Sequence, residues 1–175
     1  DGLVGDKCNQ NLWVYTADCM PIFFADKSTR NVAALHCGRK GLEKRIIKNL
    51  VKFFDNLGTS RNDLIVAIGP AISKRHYLVD KKTLNDFYRK AENKKSIVNL
   101  TQTKKNFDFN DLNNLKDQNL NQLDLKRFAY RQLLNENILD TNIDISNLCT
   151  YELKNEFNSW RRDKTIARQW NFISS

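Results

Sequence analysis

Two scarce side-chain types gather in one short stretch, TADCMPIFFADKSTRNVAALHCGRKG, residues 16–41. It carries Cys19, His36 and Cys37 in a chain of 175 residues with only four cysteines and two histidines. PIFFAD (21–26) and NVAALH (31–36) read as β-strands joined by the polar loop KSTR. A four-residue loop sets Asp26 against Asn31 and Pro21 against His36. Cys19 then lies diagonal to His36 on one sheet face, with Cα atoms roughly 7–8 Å apart. A slip of one residue would send the two to opposite faces.

Three chemistries fit such a pair. Zinc takes cysteine and histidine, and a catalytic zinc needs three protein ligands and one open position. Alternatively, Cys19 is a nucleophile and His36 its base. The plainest reading is a buried thiol and a satisfied imidazole in a core hairpin. Asp18 would orient a ligand or cap a turn. The following loop, HCGRKGL, leads from a strand into a helix. Gly38 and Gly41 let the backbone approach a ligand, and Arg39 and Lys40 add charge beside free helix N–H groups. Together they describe either an anion or phosphate pocket or an ordinary strand-to-helix turn with basic residues on its surface.

The elements that must position these residues are legible in outline. LWVYTA (12–17) reads as a strand. GLEKRIIKNLVKFFDNLG reads as one amphipathic helix with Leu42, Ile46, Leu50, Phe53, Phe54 and Leu57 on its apolar side and Gly58 at its C-cap. DLIVAIGPA (63–71) reads as a buried strand and KKTLNDFYRKAEN as a short helix. SIVNL (96–100) is a further strand and 101–122 an irregular polar connection. LDLKRFAYRQLLNENIL is a second long helix. IDISNLCTY (143–151) is a strand, LKNEFNSWRRD a short helix or turn, and RQWNFIS a closing strand. Three early strands without intervening helices predict an α+β fold with mostly antiparallel pairing, not a Rossmann sheet. The whole of 1–175 reads as a single domain. It opens at Asp1 on what looks like a domain interior, so an N-terminal portion is expected to be missing.

Composition narrows the class. Apolar residues make up 41% of the chain and no run is long enough to span a membrane. The net charge of +9 points first to nucleic acid. However, the lysines are scattered and not interleaved with aromatics, so nucleic acid is not the expected partner. The cysteines are read as reduced and the location as cytoplasmic.

The ordered set TADCMPIFFAD, VAALHCGRKG, IVAIGPAIS, LDLKRFAYRQLL, CTY and SWRRD…RQWNFI resembles the YfiH family, also called the multicopper polyphenol oxidase or laccase-domain family. The segments correspond to its A-D-C-x-P, A-x-H-x-G-W-R-G, I-G-P-x-I, L-C-T-Y and S-x-R-R-D signatures. The resemblance implies an α/β/β/α sandwich. It also implies a purine nucleoside phosphorylase, converting adenosine, inosine or guanosine and phosphate to base and ribose 1-phosphate, with adenosine deaminase side activity. Zinc is the implied cofactor, in preference to the copper of the family's older name. Its implied ligands are a histidine, a cysteine and a histidine. The cysteine falls on Cys19 and the second histidine on His36. The first histidine belongs to an upstream Q-V-H-G segment not present in these residues. His76 is the only other histidine and is a weak candidate for that place.

Gly38, Arg39, Lys40 and Gly41 stand where the family has G-W-R-G, so Trp is replaced by Arg39 and Arg by Lys40. Arg and Lys grip oxyanions differently. These departures keep two other readings open: a Cys–His hydrolase or amidase, and a non-catalytic relative that binds a nucleotide or a protein. Arg161 and Arg162 are further phosphate or substrate candidates. Cys149 is read as a buried structural thiol and Cys37 as facing away from the pair. The three tryptophans are read as core or rim, with Trp160 the one to test for purine stacking.

Overall fold

The computed structural model describes residues 1–91 and 120–175. In chain order the strands are β1 (Gly2–Gly5), β2 (Asn11–Thr16), β3 (Met20–Asp26) and β4 (Val32–Cys37). Helices α1 (Arg39–Glu43) and α2 (Ile46–Asn56) follow, then β5 (Leu64–Ile68), β6 (Leu78–Asp80) and α3 (Lys81–Ala91). The remainder is β7 (Leu120–Gln122), α4 (Leu125–Asn135), β8 (Ile143–Ile145), α5 (Trp160–Asp163) and β9 (Gln169–Ser174). Short 3₁₀ turns lie at Lys74–His76 and Asp140–Asn142. Among the described residues, no helix is long and apolar enough to cross a membrane.

Five strands form one sheet in the order β1-β4-β3-β5-β8, antiparallel except for the β5–β8 pair. β2 and β9 form a separate antiparallel ribbon, and β6 pairs with β7. Alternation along β3 and β4 sorts their side chains onto two faces. Met20, Ile22, Phe24, Ala33, Leu35 and Cys37 join the main core with Ile47, Leu50, Phe54 and Tyr130 from the helices. Val32 and Ala34 instead pack on Leu12 and Val14 of the ribbon, with Phe23, Ala25 and Ile173 beside them. Helices, five-stranded sheet and ribbon therefore stack in layers, as the expected α+β class requires. Each fully buried large side chain contributes about 1.5–3 kcal/mol to that stack.

Several expected elements are corrected. The helix read from Gly41 to Gly58 is two helices, because Arg45 adopts a left-handed conformation (φ 55°). That residue resets the helical phase. Ile47, Leu50, Val51 and Phe54 face the core, while Phe53 and Leu57 are exposed. Gly58 has the positive φ expected of a C-cap glycine. The 63–71 strand ends at Ile68 and alternates, leaving Ile65 exposed. Only Ile143–Ile145 of the 143–151 segment is strand, with Cys149 making a single bridge to Ala71. Residues 2–5 form an edge strand and 120–122 a strand, neither of which the pattern marked. The SIVNL segment lies outside the described residues.

The β3–β4 hairpin is closed by a buried carboxylate. Asp26 accepts hydrogen bonds from Ser28 N (2.8 Å), Ser28 Oγ (2.7 Å), Thr29 Oγ1 (2.7 Å) and, across the fold, Thr59 Oγ1 (2.6 Å). Burial opposes its ionisation, but the donors from Thr59, Thr29 and Ser28 outweigh it. They hold the carboxyl well below the usual carboxylate range. A carboxyl depressed in the folded state adds stability above its unfolded pKa, and this stability fades as pH falls toward the folded value. Asp26→Asn is therefore expected to cost on the order of 2–4 kcal/mol at neutral pH. Urea melts over a series of acid pH values should show the native protein weakening below about pH 4, with the variant's stability changing less across the same range.

Candidate functional site

One end of the sheet collects Cys19, His36, the Gly38–Gly41 loop and the start of the SWRRD segment. β2 leaves the ribbon at Thr16 and the chain crosses through Ala17, Asp18 and Cys19 to enter β3. β4 ends beside it at Cys37, and β9 begins opposite Thr16 at Gln169. Pro21 pairs with His36, as the hairpin register predicts. His36 therefore shares the ribbon-facing side with Val32 and Ala34. Cys37 points into the helical core, completely buried, and burial first of all pushes its thiol up to about 12.

Cys19, His36 and Tyr77 form the shared wall of two adjoining cavities. The smaller, about 330 Å³, is completed by Ala17, Asp18, Ile72, Trp160, Arg161 and Arg168. The larger, about 610 Å³, is lined by Gly38, Arg39, Lys40, Gly41, Lys44, Ile46, Asn49 and Asp1. The glycine at 38 serves close approach. A Cβ built there would overlap Cys19 Sγ, so only a hydrogen fits between that backbone and the sulfur.

The electrostatics of the pair run against a thiolate–imidazolium. Burial raises the Cys19 thiol pKa and the neighbouring Asp18 carboxylate raises it further, against the pull of Arg168. Burial lowers the His36 pKa, and nearby positive charge, Arg168 included, lowers it again. Near neutral pH the pair is a thiol beside a neutral imidazole. Burial also raises the Tyr77 phenol, opposed by Arg39 and Arg161.

The other expected residues divide. Asp18 caps: its carboxylate accepts from Thr150 Oγ1 (2.9 Å), Ser159 Oγ (2.7 Å) and Arg161 N (2.7 Å). Arg161 lines the smaller cavity, bonds Leu78 O (2.8 Å) and stacks over Tyr77 at 4.9 Å. Arg162 has a different occupation. Its guanidinium donates to the carbonyls of Thr150, Tyr151 and Phe157 and pairs with Asp163. Arg39 pairs with Glu43. The helix opening at Arg39 has five residues, so the positive character of the larger cavity comes from side chains more than from a helix end.

Trp160, half exposed, lines the smaller cavity, whereas Trp13 and Trp170 stand exposed on the outer face of the ribbon, not in the core. His76 lines neither cavity. It bonds Glu152 instead, and with Cys149 these form a cluster in which the donor atoms lie within 4.8 Å of one another. Tyr77, Ile72 and Arg168 went unmarked in the sequence, since nothing in HYLV or ARQW advertises a cavity wall.

Cys19 and His36 are of the right type for zinc and face one space. Among the described residues, no third His, Cys, Asp or Glu joins them in a three-donor group. Asp18, next to Cys19 in the chain, is already held by three donors. The residues described here thus supply two of the donors a zinc site requires.

Two outcomes follow from this geometry. With iodoacetamide at neutral pH, exposed Cys8 should be carboxamidomethylated before Cys19, whose labelling rate should rise steeply as pH increases; mass spectrometry of tryptic peptides reads both. Labelling of Cys19 ahead of Cys8 would restore the nucleophile reading. Gly38→Ala should displace the Cys19 side chain and destabilise the fold by about 1–3 kcal/mol, measurable by thermal melts.

Comparison with known proteins places this architecture. A family model described as multi-copper polyphenol oxidoreductase laccase matches residues 1–175. A purine nucleoside phosphorylase of Synechocystis is 31% identical over the whole chain, which covers 67% of that protein. The crystal structure of YlmD from Geobacillus stearothermophilus superposes with a TM-score of 0.84 at 29% identity, over 99% of this chain and 60% of that one. The Bacillus licheniformis hypothetical protein YfiH gives 0.82 at 28% identity, over 99% and 61%. The chain thus spans about three-fifths to two-thirds of the length of these relatives. Its motifs, layered fold and full-length match agree, and the chain belongs to the YfiH family, the multi-copper polyphenol oxidoreductase laccases.

Proposed function

We propose that the paired cavities form a purine nucleoside phosphorylase centre. The observation that carries this reading is their shared wall. A chamber that offers the flat and apolar surfaces of Trp160, Ile72 and Tyr77, edged by Arg161 and Arg168, meets one lined by Arg39, Lys40 and Lys44, and Cys19, His36 and Tyr77 lie between. A nucleoside and phosphate divide in the same way, into a flat base and an anion, with the reacting carbon between them. The names of relatives such as the Synechocystis protein support the same substrate pair.

In this reading a phosphate oxygen forms a bond to C1′ of the ribose as the bond from C1′ to the purine nitrogen breaks. Ribose 1-phosphate and the base result, and the base takes up a proton. Lys40, exposed and paired with no carboxylate among the described residues, binds phosphate together with the Gly38–Gly41 backbone. Arg39, anchored by Glu43, holds the wall at Tyr77. Arg161 and Trp160 bind the base side, and Arg162 positions them by bracing the 150–157 segment.

Cys19 and His36 would hold zinc, with the third donor from outside the described residues. When bound, the ion supplies Lewis acidity, and for adenosine deamination an activated water. A raised thiol pKa disfavours Cys19 as a free nucleophile, which requires the opposite tuning. Four unpaired cysteines fit a reducing cytoplasmic setting.

Incubation with adenosine, with and without phosphate, followed by chromatography tests this. Adenine should form only with phosphate. Adenosine left intact in both samples would sink the reading, and inosine formed without phosphate would leave the deaminase activity alone. Lys40→Gln should raise the KM for phosphate by about tenfold, equivalent to about 1.4 kcal/mol, with a smaller change in kcat.

A further inference from the structure

A second set of metal-type donors meets beyond the two cavities. His76, Cys149 and Glu152 bring imidazole nitrogen, sulfur and carboxylate oxygen within 4.8 Å of one another. We propose that they form a divalent-metal site of the zinc class, which fastens the 71–77 loop to the 149–152 turn and is separate from the Cys19–His36 pair.

Each donor is held by the backbone around it. Cys149 is 4% exposed, bridges Ala71, and its Sγ accepts the Ser73 N–H at 3.3 Å. Thr150 N donates to Ala71 O, adding a second tie between the same segments. His76 ends the 3₁₀ turn, with its N–H on Ser73 O, and its ring stacks on Tyr151 at 4.5 Å and 13°. The imidazole plane is thereby fixed with an edge toward Glu152, whose Oε1 lies 2.6 Å from His76 Nε2. A thiol at the base, a half-buried imidazole and an exposed carboxylate at the rim make a site open to solvent on one side.

The donor chemistry selects the ion. Thiolate, imidazole and carboxylate together suit zinc and its neighbours, whereas magnesium and calcium take oxygen ligands. Two ligands of a tetrahedral zinc stand roughly 3.4 Å apart, so the Glu152 carboxylate moves out by about 1 Å on binding. It sits on an exposed side chain and is free to do so. Binding displaces the thiol proton, which passes to solvent, while the His76 ring keeps one proton and presents its other nitrogen to the ion.

A second observation points to the same place. Ser73 Oγ is buried with no hydrogen-bond partner among the described residues, and it belongs to the residue whose amide holds the Cys149 sulfur. The consequence of binding reaches the neighbouring cavities. Ile72 and Tyr77 line them, and Thr150 holds Asp18, so an ion here stiffens two of their walls.

Cobalt(II) titration of metal-free protein tests the proposal, using Cys19→Ser so that the other candidate thiol is gone. A near-ultraviolet thiolate-to-cobalt charge-transfer band is expected in Cys19→Ser and should vanish when Cys149→Ser is added. His76→Ala in the Cys19→Ser background should weaken cobalt binding at least tenfold, and Glu152→Gln several-fold. Both side chains are at least partly exposed, so these variants should fold even where Cys149→Ser does not. Zinc should raise the Tm of Cys19→Ser and leave that of Cys19→Ser with His76→Ala unchanged. Absence of the band in Cys19→Ser, its persistence after Cys149→Ser, or titrations unaffected by His76→Ala would overturn the proposal.

Discussion

The carboxylate of Asp18 is the joint on which the site depends. It stands between the last residue of the ribbon crossing and Cys19. It accepts from Thr150, Ser159 and the Arg161 backbone, residues more than 130 positions away. Hydrogen bonds to an ionised acceptor contribute about 1.5–3 kcal/mol each. Three of them on one side chain bring the CTY and SWRRD segments to the hairpin end. That joint ties Trp160 and Arg161 to the residue beside Cys19, alongside the Arg161 bond to Leu78 O. Burial raises the Cys19 pKa, and the same carboxylate raises it further. One residue thus helps both to place the thiol and to keep it protonated.

The departures from the family pattern at 39 and 40 acquire a physical meaning in this setting. Arg39 does not stand free as an anion grip. Its pairing with Glu43 and its contact with Tyr77 make it part of the wall between the cavities. Lys40 remains exposed at the larger cavity, a compact charge where a planar fork is the family habit. Charge is kept while bidentate geometry is given up.

The 71–77 loop links the two candidate metal environments. Its residues alternate between them: Ile72 and Tyr77 face the cavities, while Ser73 and His76 face Cys149 and Glu152. One short loop therefore carries residues of both places.

The hairpin register, and with it the Cys19–His36 pairing, was legible in the sequence because side chains alternate strictly along a strand. A four-residue loop leaves little freedom in pairing. The α+β class, the glycine cap at 58 and the separation of Cys37 follow from the same local rules. Other features required the folded chain. The left-handed Arg45 breaks a helix whose periodicity reads as continuous, and the core takes Ile47 and Val51, which the pattern left out, while Phe53 and Leu57 stay exposed. His76 finds Glu152 and Cys149 over 70 residues away, and Tyr77 and Arg168 become cavity walls. Those placements depend on which distant segments pack together, and local periodicity carries no record of that. The sequence determined which side chains share a face at the hairpin, and tertiary packing alone decided which others would meet them there.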